Sequence, residues 1–269
     1  MLFSILIAHY NNWDYFQDCY KSILAQTHQD FEIIIVDDCS TDDSFEKLKE
    51  LSKSDLKIKL FQNPENKGVG FTKRKCIEMA SGEICGFVDP DDAITENAIE
   101  ESIKHYTSSE VVATYSQIMM CDEGLNQQNV YHRTRKIKNG QRYFFNIFNE
   151  VSHFFTFRKG AYLDTEGINE NLSSAVDFDL YLKLYEKGKF IYVKDPLYIY
   201  RQHQGGVSQD NKKKKQTYEN WNKVLYDTCQ RRNISELYGE RISENSNLPE
   251  LIFRNQNKLM AKVKRFICR

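Results

Sequence analysis

Apolar and polar positions along the first hundred residues fall into alternating blocks. Residues 3–8 are a short apolar run closed by the polar Tyr10-Asn11-Asn12, and residues 31–36 are a second, with four β-branched apolar positions, closed by Asp37-Asp38-Cys39-Ser40-Thr41-Asp42. Between them Trp13, Phe16, Tyr20, Ile23 and Leu24 recur at helical spacing. Strand, helix, strand with a polar loop after each strand is the pattern of a parallel sheet built from right-handed crossovers. The unit repeats: a helix through Phe45, Leu48 and Leu51 leads to a strand over 56–61. A helix over 71–80 then leads to the apolar run Ile84-Cys85-Gly86-Phe87-Val88. Further on, the pattern predicts a helix over 96–106, a strand over 111–121 and a polar, loop-rich stretch over 122–139. It continues with a short strand over 154–158, a turn-rich segment over 160–172, an amphipathic helix over 177–187 and short strands over 190–193 and 197–201.

The fourth strand ends in Asp89-Pro90-Asp91-Asp92, three carboxylates within four residues. Asp89 and Asp91, two apart, leave the strand end on the same face. Clustered carboxylates repel and burial makes each charge costlier, so the cluster calls for a cation. A hard divalent ion, Mg²⁺ or Mn²⁺, takes one or two carboxylates, keeps waters and fills its remaining positions with substrate phosphate oxygens. The plainer alternative is that Asp92 or a neighbour caps the following helix, which uses one acid and leaves the others unexplained. Ligands of open parallel sheets sit beyond the carboxyl ends of the strands, so Tyr10-Asn11, Asp37-Asp38 and the acidic cluster should converge on one crevice.

Composition narrows the classes. A chain of 269 residues with 41% hydrophobic content can bury a core, as one domain plus an appendage. Four prolines and twelve glycines exclude long collagenous or disordered tracts. The seven cysteines form no CxxC pair and the six histidines are scattered, which speaks for small buried thiols in a reducing compartment and against a zinc site. Residues 2–8 are too short for a secretory signal and lack a basic flank, and no apolar run approaches the length of a bilayer span. The expected location is cytoplasmic.

Several motifs can be set aside. Gly68-Val69-Gly70-Phe71-Thr72-Lys73 lacks the third glycine of a dinucleotide fingerprint and follows a loop instead of the first strand. Neither a Walker A sequence nor a G-x-S-x-G elbow is present. The crevice is nucleotide-type, acidic and ready for a metal.

The order Ile5-Leu6-Ile7-Ala8-His9-Tyr10-Asn11, Ser22-Ile23-Leu24-Ala25-Gln26-Thr27 and Phe31-Glu32-Ile33-Ile34-Ile35-Val36-Asp37-Asp38 resembles family 2 glycosyltransferases of the GT-A fold. So do Asn66-Lys67-Gly68-Val69-Gly70, Ala80-Ser81-Gly82-Glu83 and Asp89-Pro90-Asp91-Asp92. The resemblance implies an α/β fold, a mostly parallel central sheet flanked by helices with a C-terminal helical tail. It covers a catalytic domain over 1–208, divided into a nucleotide-sugar-binding half (1–110) and an acceptor half (111–208), and leaves a basic helical tail over 209–269.

The implied reaction is inverting transfer of a sugar, most simply from a UDP-sugar, to an acceptor hydroxyl on a glycan or lipid-linked carrier in surface polysaccharide or glycoconjugate synthesis. Nucleotide-sugar contacts are implied at Ala8, Tyr10, Asn11 and Asp38, then at Lys73 or Arg74, Asp89, Asp91 and Arg201. Tyr10 would pack on the base and Asp38 would bond its edge; Asp91, Asp92 and His203 would hold Mn²⁺ or Mg²⁺. The segment Ala175-Val176-Asp177-Phe178-Asp179-Leu180 resembles the family's acceptor motif, with Asp177 as general base and Val176 where its first acid would stand. For Asp177 and Asp179 the alternative is a first-turn acid complementing a helix dipole. Val176 also motivates a second reading, a catalytically silent sugar-nucleotide-binding protein. A nucleotidyltransferase would need a glycine-rich loop after the first strand, which residues 8–12 lack.

Charge adds one feature. Residues 211–269 carry +8 and the first 210 residues −9, for a total of −1. Residues 254–269 hold six basic residues and no acid, with Leu259, Met260, Val263, Phe266 and Ile267 at helical spacing. Such a helix reads either as a membrane-surface element at the inner face of the membrane or as a terminal helix docked on the domain or a second subunit. No nucleic-acid partner is expected.

Overall fold

The computed structural model describes residues 1–203 and 214–257. The first half runs β1 (Phe3–His9), α1 (Trp13–Leu24), β2 (Phe31–Asp37), α2 (Ser44–Ser54), β3 (Ile58–Gln62), α3 (Val69–Met79) and β4 (Ile84–Phe87). β5 (Ala93–Ile94), α4 (Ala98–Ile103), β6 (Val111–Cys121), β7 (Gln127–Val130), β8 (Thr156–Arg158), α5 (Lys159–Leu163), α6 (Val176–Tyr185) and β9 (Lys189–Arg201) follow. The chain closes with α7 (Lys214–Arg231), the small hairpin β10 (Glu236–Leu237) and β11 (Glu240–Arg241), and α8 (Leu248–Gln256).

Nine strands form one sheet in the order β3-β2-β1-β4-β8-β6-β9-β5, with β7 paired to β6. The strands β3, β2, β1 and β4 are all parallel. Beyond β4 the sheet is mixed: β8 runs antiparallel to β4 and β6, β5 antiparallel to β9, and β9 parallel to β6. Strand period 2 sends alternate residues to opposite faces. Ile5, Ile7, Ile33 and Ile35 pack with Phe16 and Ile23 of α1, Leu48 of α2 and Ile99 of α4. Leu6, Ile34 and Val36 pack with Cys76 and Ile77 of α3 and Leu180 and Leu184 of α6. Val224, Leu225, Leu251 and Ile252 of α7 and α8 belong to this second cluster, so the described part of the C-terminal segment shares the body's core.

Three local expectations change. The third strand begins at Ile58 because Asp55 turns the chain: its carboxylate accepts the Lys57 N–H at 2.9 Å and its carbonyl the Ile58 N–H at 3.1 Å, leaving Leu56 exposed. The stretch over 122–139 contains β7, hairpinned onto β6. The two short strands before residue 201 are one, β9. Pro196 lacks the N–H that a central strand needs, and β9 accommodates it where Val193 faces Ser116 and Pro196 faces Gln117, with Lys194 and Asp195 bulged out. The expected boundary at 208 and residues 258–269, which carry most of the basic amphipathic pattern, lie outside the described residues. Among the described residues no helix is long and apolar enough to cross a membrane.

Candidate active site

A cleft of about 610 Å³ opens at the carboxyl ends of β1, β2 and β4 and is closed on its far side by the N-terminus of α6. Ala8, Tyr10 and Asp38 line it from the first two strands, Asn66, Gly68 and Val69 from the loop before α3, and Asp89, Pro90, Asp91 and Asp92 from the turn after β4. Lys73, His153, Ser173, Ser174, Asp177 and Thr217 complete the wall.

The nucleotide end is built by hydrogen bonds between loops. Asp38 is buried; Oδ1 accepts the Lys67 N–H and the Asn63 amide, both at 2.8 Å, and Oδ2 accepts the Gly68 N–H at 2.8 Å. Gly68 can offer its N–H there because its φ of +85° is open to glycine. Three donors on a carboxylate with about four acceptor positions leave room for one ligand contact. Asn11 does not line the cleft: its Oδ1 accepts the Thr41 N–H at 2.7 Å and its Nδ2 donates to Thr41 Oγ1 at 2.9 Å, which ties the first loop to the second. Tyr10 remains exposed on the cleft wall. His9 is buried behind it with Nδ1 3.3 Å from Asp37 Oδ1. Burial would raise Asp37, but His9 and Ser40 hold its carboxyl below the usual carboxylate range.

The acidic turn divides its three carboxylates among three tasks. Asp89 Oδ1 pairs with Lys73 Nζ at 3.0 Å. Asp91 Oδ2 lies 2.9 Å from His203 Nε2. Asp92 is buried, and its Oδ1 accepts the Arg201 backbone N–H at 2.8 Å. Burial, then Asp91 and Asp89, push the Asp92 carboxyl well up. Arg201, expected at the donor, stays out of the cleft: its Nε donates to the Asp91 carbonyl at 2.7 Å and its other end pairs with Asp18 at 3.0 Å, so it props the turn from behind. Arg74 also points away, pairing with Glu78 at 3.2 Å and donating to the Ile168 carbonyl at 3.2 Å. Of the two adjacent basic residues only Lys73 faces the site.

Asp91, on the cleft wall, fits a hard divalent ion, and His203 stands against it from outside the residues that line the cleft. Adjacent ligands of an octahedral ion with bonds near 2.1 Å stand about 3 Å apart, and this carboxylate and imidazole already do. Asp92 does not fit as a direct ligand, since it is buried and committed to Arg201. Among the described residues no group of three or more His, Cys, Asp or Glu forms a protein-only cage, so the ion would complete its shell with water and phosphate.

On the acceptor side, Asp177 sits in the first turn of α6, preceded by Ala175 at a left-handed φ of +59°. Oδ1 pairs with Lys73 Nζ at 2.8 Å, and Oδ2 lies 3.7 Å from His153 Nε2. Burial would raise this carboxyl, but Lys73 and then His153 pull it far below the usual range; burial would lower Lys73, but Asp177 and Asp89 hold it well above its ordinary value. Val176, in the place of the expected first acid, is buried in the core. Asp179 is a scaffold: its Oδ2 accepts the Asn169 N–H at 2.8 Å and the Lys183 ammonium at 2.9 Å, which fixes the loop over 169–172. Gly70 lets α3 meet that loop, for its N–H donates to the Leu172 carbonyl and a Cβ would stand 2.6 Å from the same oxygen. The sequence reading missed His153, which stacks on Tyr198 with centroids 4.8 Å apart. An isolated histidine in an irregular segment carries no periodic signal.

The model of the family described as "Glycosyl transferase family 2" matches residues 4–165. Chondroitin synthase from Escherichia coli is 31% identical over 243 residues, 87% of this chain but 34% of that protein. Hyaluronan synthase from Pasteurella multocida is 32% identical over 70% of this chain and 19% of its own length. The chain thus spans 34% and 19% of these two relatives' lengths. Glycosyltransferase GlyG from Streptococcus pneumoniae serotype 4 is 25% identical, over 90% of this chain and 80% of that one. Among solved structures, S. aureus TarS 1-349 in complex with UDP-GlcNAc superposes with a TM-score of 0.73 at 22% identity, covering 96% of this chain and 73% of that one. The mannosyltransferase PcManGT from Pyrobaculum calidifontis in complex with GDP-Man and Mn²⁺ gives 0.62 at 12% identity, over 93% and 68%. A sheet that gathers an acidic turn and a helix-borne aspartate on one cleft, together with the family match over residues 4–165, places this chain in glycosyl transferase family 2, with the GT-A fold.

Proposed function

We propose that this chain transfers a sugar from a nucleoside diphosphate sugar, with UDP as the nucleotide, to a hydroxyl of a glycan or lipid-linked acceptor in surface polysaccharide or glycoconjugate synthesis, with inversion. The observation that carries the reading is that Asp177 and Asp89, from the two halves of the domain, face one cleft across a single ammonium, Lys73. Tyr10 offers a face for the base, Asp38 its remaining acceptor position, and Asp89 a contact to the donor sugar. The choice of UDP rests on the TarS complexes with UDP and UDP-GlcNAc.

Asp91 and His203 would hold Mn²⁺ or Mg²⁺, which when bound supplies positive charge where the leaving diphosphate gains negative charge. In the transfer the acceptor oxygen bonds to the anomeric carbon as the bond from that carbon to the phosphate oxygen breaks. The electron pair leaves with the nucleoside diphosphate and the acceptor proton passes to an Asp177 oxygen. The N-terminus of α6 and Lys73 keep Asp177 ionised and aimed.

One observation favours the silent-binder alternative: a carboxylate held so firmly by Lys73 takes up a proton poorly. Release of nucleoside diphosphate from UDP-, GDP- and dTDP-sugars with Mn²⁺ or Mg²⁺ decides between them. The transferase reading expects turnover of one donor, reduced in Asp91→Asn at limiting metal, and transfer to acceptor lost in Asp177→Asn. Binding of donor with no turnover under any acceptor screen would establish the silent protein instead.

A further inference from the structure

Lys73 is buried, its ammonium held between Asp177 Oδ1 at 2.8 Å and Asp89 Oδ1 at 3.0 Å and seated 5.0 Å over the Phe87 ring. One positive charge therefore serves two carboxylates that come from different halves of the domain. Both carboxylates and the lysine line the cleft in which a diphosphate would sit. The groups facing Asp177 are Lys73 from α3, His153 from the segment before β8, Asp89 from the turn after β4, and Tyr181 one turn further along α6, whose own hydroxyl burial and Asp177 push up. Of these, Lys73 makes the shortest contact with Asp177 and carries a permanent opposite charge.

This arrangement conflicts with the task of a base. A half-buried carboxylate paired with a buried ammonium is stabilised in its charged form and accepts a proton reluctantly, whereas general-base catalysis wants a proton affinity closer to the working pH. The conflict disappears if a bound donor loosens the ion pair. An incoming diphosphate brings two or three negative charges into the same cleft and competes for the same ammonium. As Lys73 shifts its charge toward the diphosphate, Asp177 loses its main stabilising partner and its affinity for a proton rises.

We propose that Lys73 is a donor-responsive clamp: it pins Asp177 in an ion pair shared with Asp89, and when a diphosphate binds it turns its charge to that group and releases Asp177 to act. This rests on the reading of Asp177 as the base. Lys73 is in these terms a positioning residue whose hold on Asp177 depends on what fills the donor site. The base is then weak while the donor site is empty and strengthens only with donor in place.

The test follows the Asp177 carboxyl by ¹³C NMR titration of the full chain labelled in aspartate, with the signal assigned by its loss in Asp177→Asn. In the free protein it titrates below the ordinary carboxylate range. Saturating UDP with Mg²⁺ moves the midpoint up by about one pH unit, a tenfold change in proton affinity. In Lys73→Met the midpoint is already raised without ligand and UDP adds little; in Lys73→Arg the wild-type response returns. A midpoint that UDP, GDP or inorganic pyrophosphate leaves unmoved, with binding verified by calorimetry, overturns the clamp, and the wild-type arm decides this even if Lys73→Met fails to fold. A Lys73→Met midpoint equal to that of the free wild type overturns it as well. The readout needs no turnover, so absence of glycosyl transfer with an intact Asp177 response sinks the function and keeps the clamp. Failure of all three diphosphates to bind sinks both.

Discussion

The backbone N–H of Arg201, the last residue of β9, donates to Asp92 Oδ1 at 2.8 Å across 109 positions of sequence. With the Arg201 guanidinium on the Asp91 carbonyl and on Asp18, this joins the closing strand to the acidic turn, so the turn's shape depends on a residue that does not line the cleft. Arg201→Met keeps the backbone donor and removes the guanidinium. The expected loss is about 2 kcal/mol of stability, the scale of charge-assisted hydrogen bonds, with half-exposed Asp18 returned to water. Urea denaturation checks it, and a midpoint within error of wild type would remove Arg201 from this role.

Asp92 predicts an unusual pH response. Its carboxyl is raised in the folded chain by burial and by Asp91 and Asp89, so the folded state binds the proton more tightly than the unfolded state. The stability it contributes is then present below the unfolded value of about 3.9 and is lost as pH rises through the raised folded value. Asp92→Asn keeps an acceptor for the Arg201 N–H and removes the charge. Without metal, the variant should melt above wild type at pH 8, with the gap closing as pH falls. A variant less stable than wild type at pH 8 would contradict this.

The metal pair makes a separate prediction. His203→Ala removes one of the two proposed protein ligands, and Asp91→Asn weakens the other. Loss of outer-shell partners alone costs 10–100-fold in metal affinity, so either change should raise the Mn²⁺ needed for half-maximal activity by about tenfold or more. If His203→Ala leaves the metal requirement unchanged, His203 serves only to orient Asp91.

Two glycines two residues apart should respond for different reasons. Gly70→Ala drives a Cβ against backbone oxygens of the loop over 169–172, 2.6 Å from Leu172 and 2.8 Å from Asn169. An intrusion that backbone must absorb costs about 1–3 kcal/mol, and it should also loosen Lys73 from Asp177 and cut activity. Gly68→Ala meets open space but must hold a φ of +85° with ψ 165°, a region essentially confined to glycine, a penalty of about 1–3 kcal/mol. Thermal melts with activity assays separate the two; a Gly70→Ala variant as active as Gly68→Ala would mean that α3 does not set the site.

The donor half was legible because its signals are local. β-branched runs, helical spacing and polar strand ends place Tyr10, Asp38 and Asp89 to Asp92 on one edge of a parallel sheet before any coordinates exist. The acceptor half was less so: β7 is short and polar throughout, β9 carries a proline, and His153 stands alone in an irregular segment. Arg74 and Arg201 were misjudged because a basic residue beside a phosphate site has the same one-dimensional signature whether it faces the ligand or props the loop behind it.

The amino-acid sequence by itself determined the order of strands and helices through β4, the acidic turn at its end, and the presence of Asp177 at the start of α6, because hydrophobic period and local residue chemistry act within a few positions along the chain. Only the tertiary structure decided that Lys73 pairs with Asp177, 104 positions away, as well as with Asp89, that His203 and not Asp92 stands with Asp91, and that Arg201 lies behind the turn. Those pairings turn on which side chains burial brings within 3 Å of one another, and a charge leaves no periodic mark of its partner in the chain.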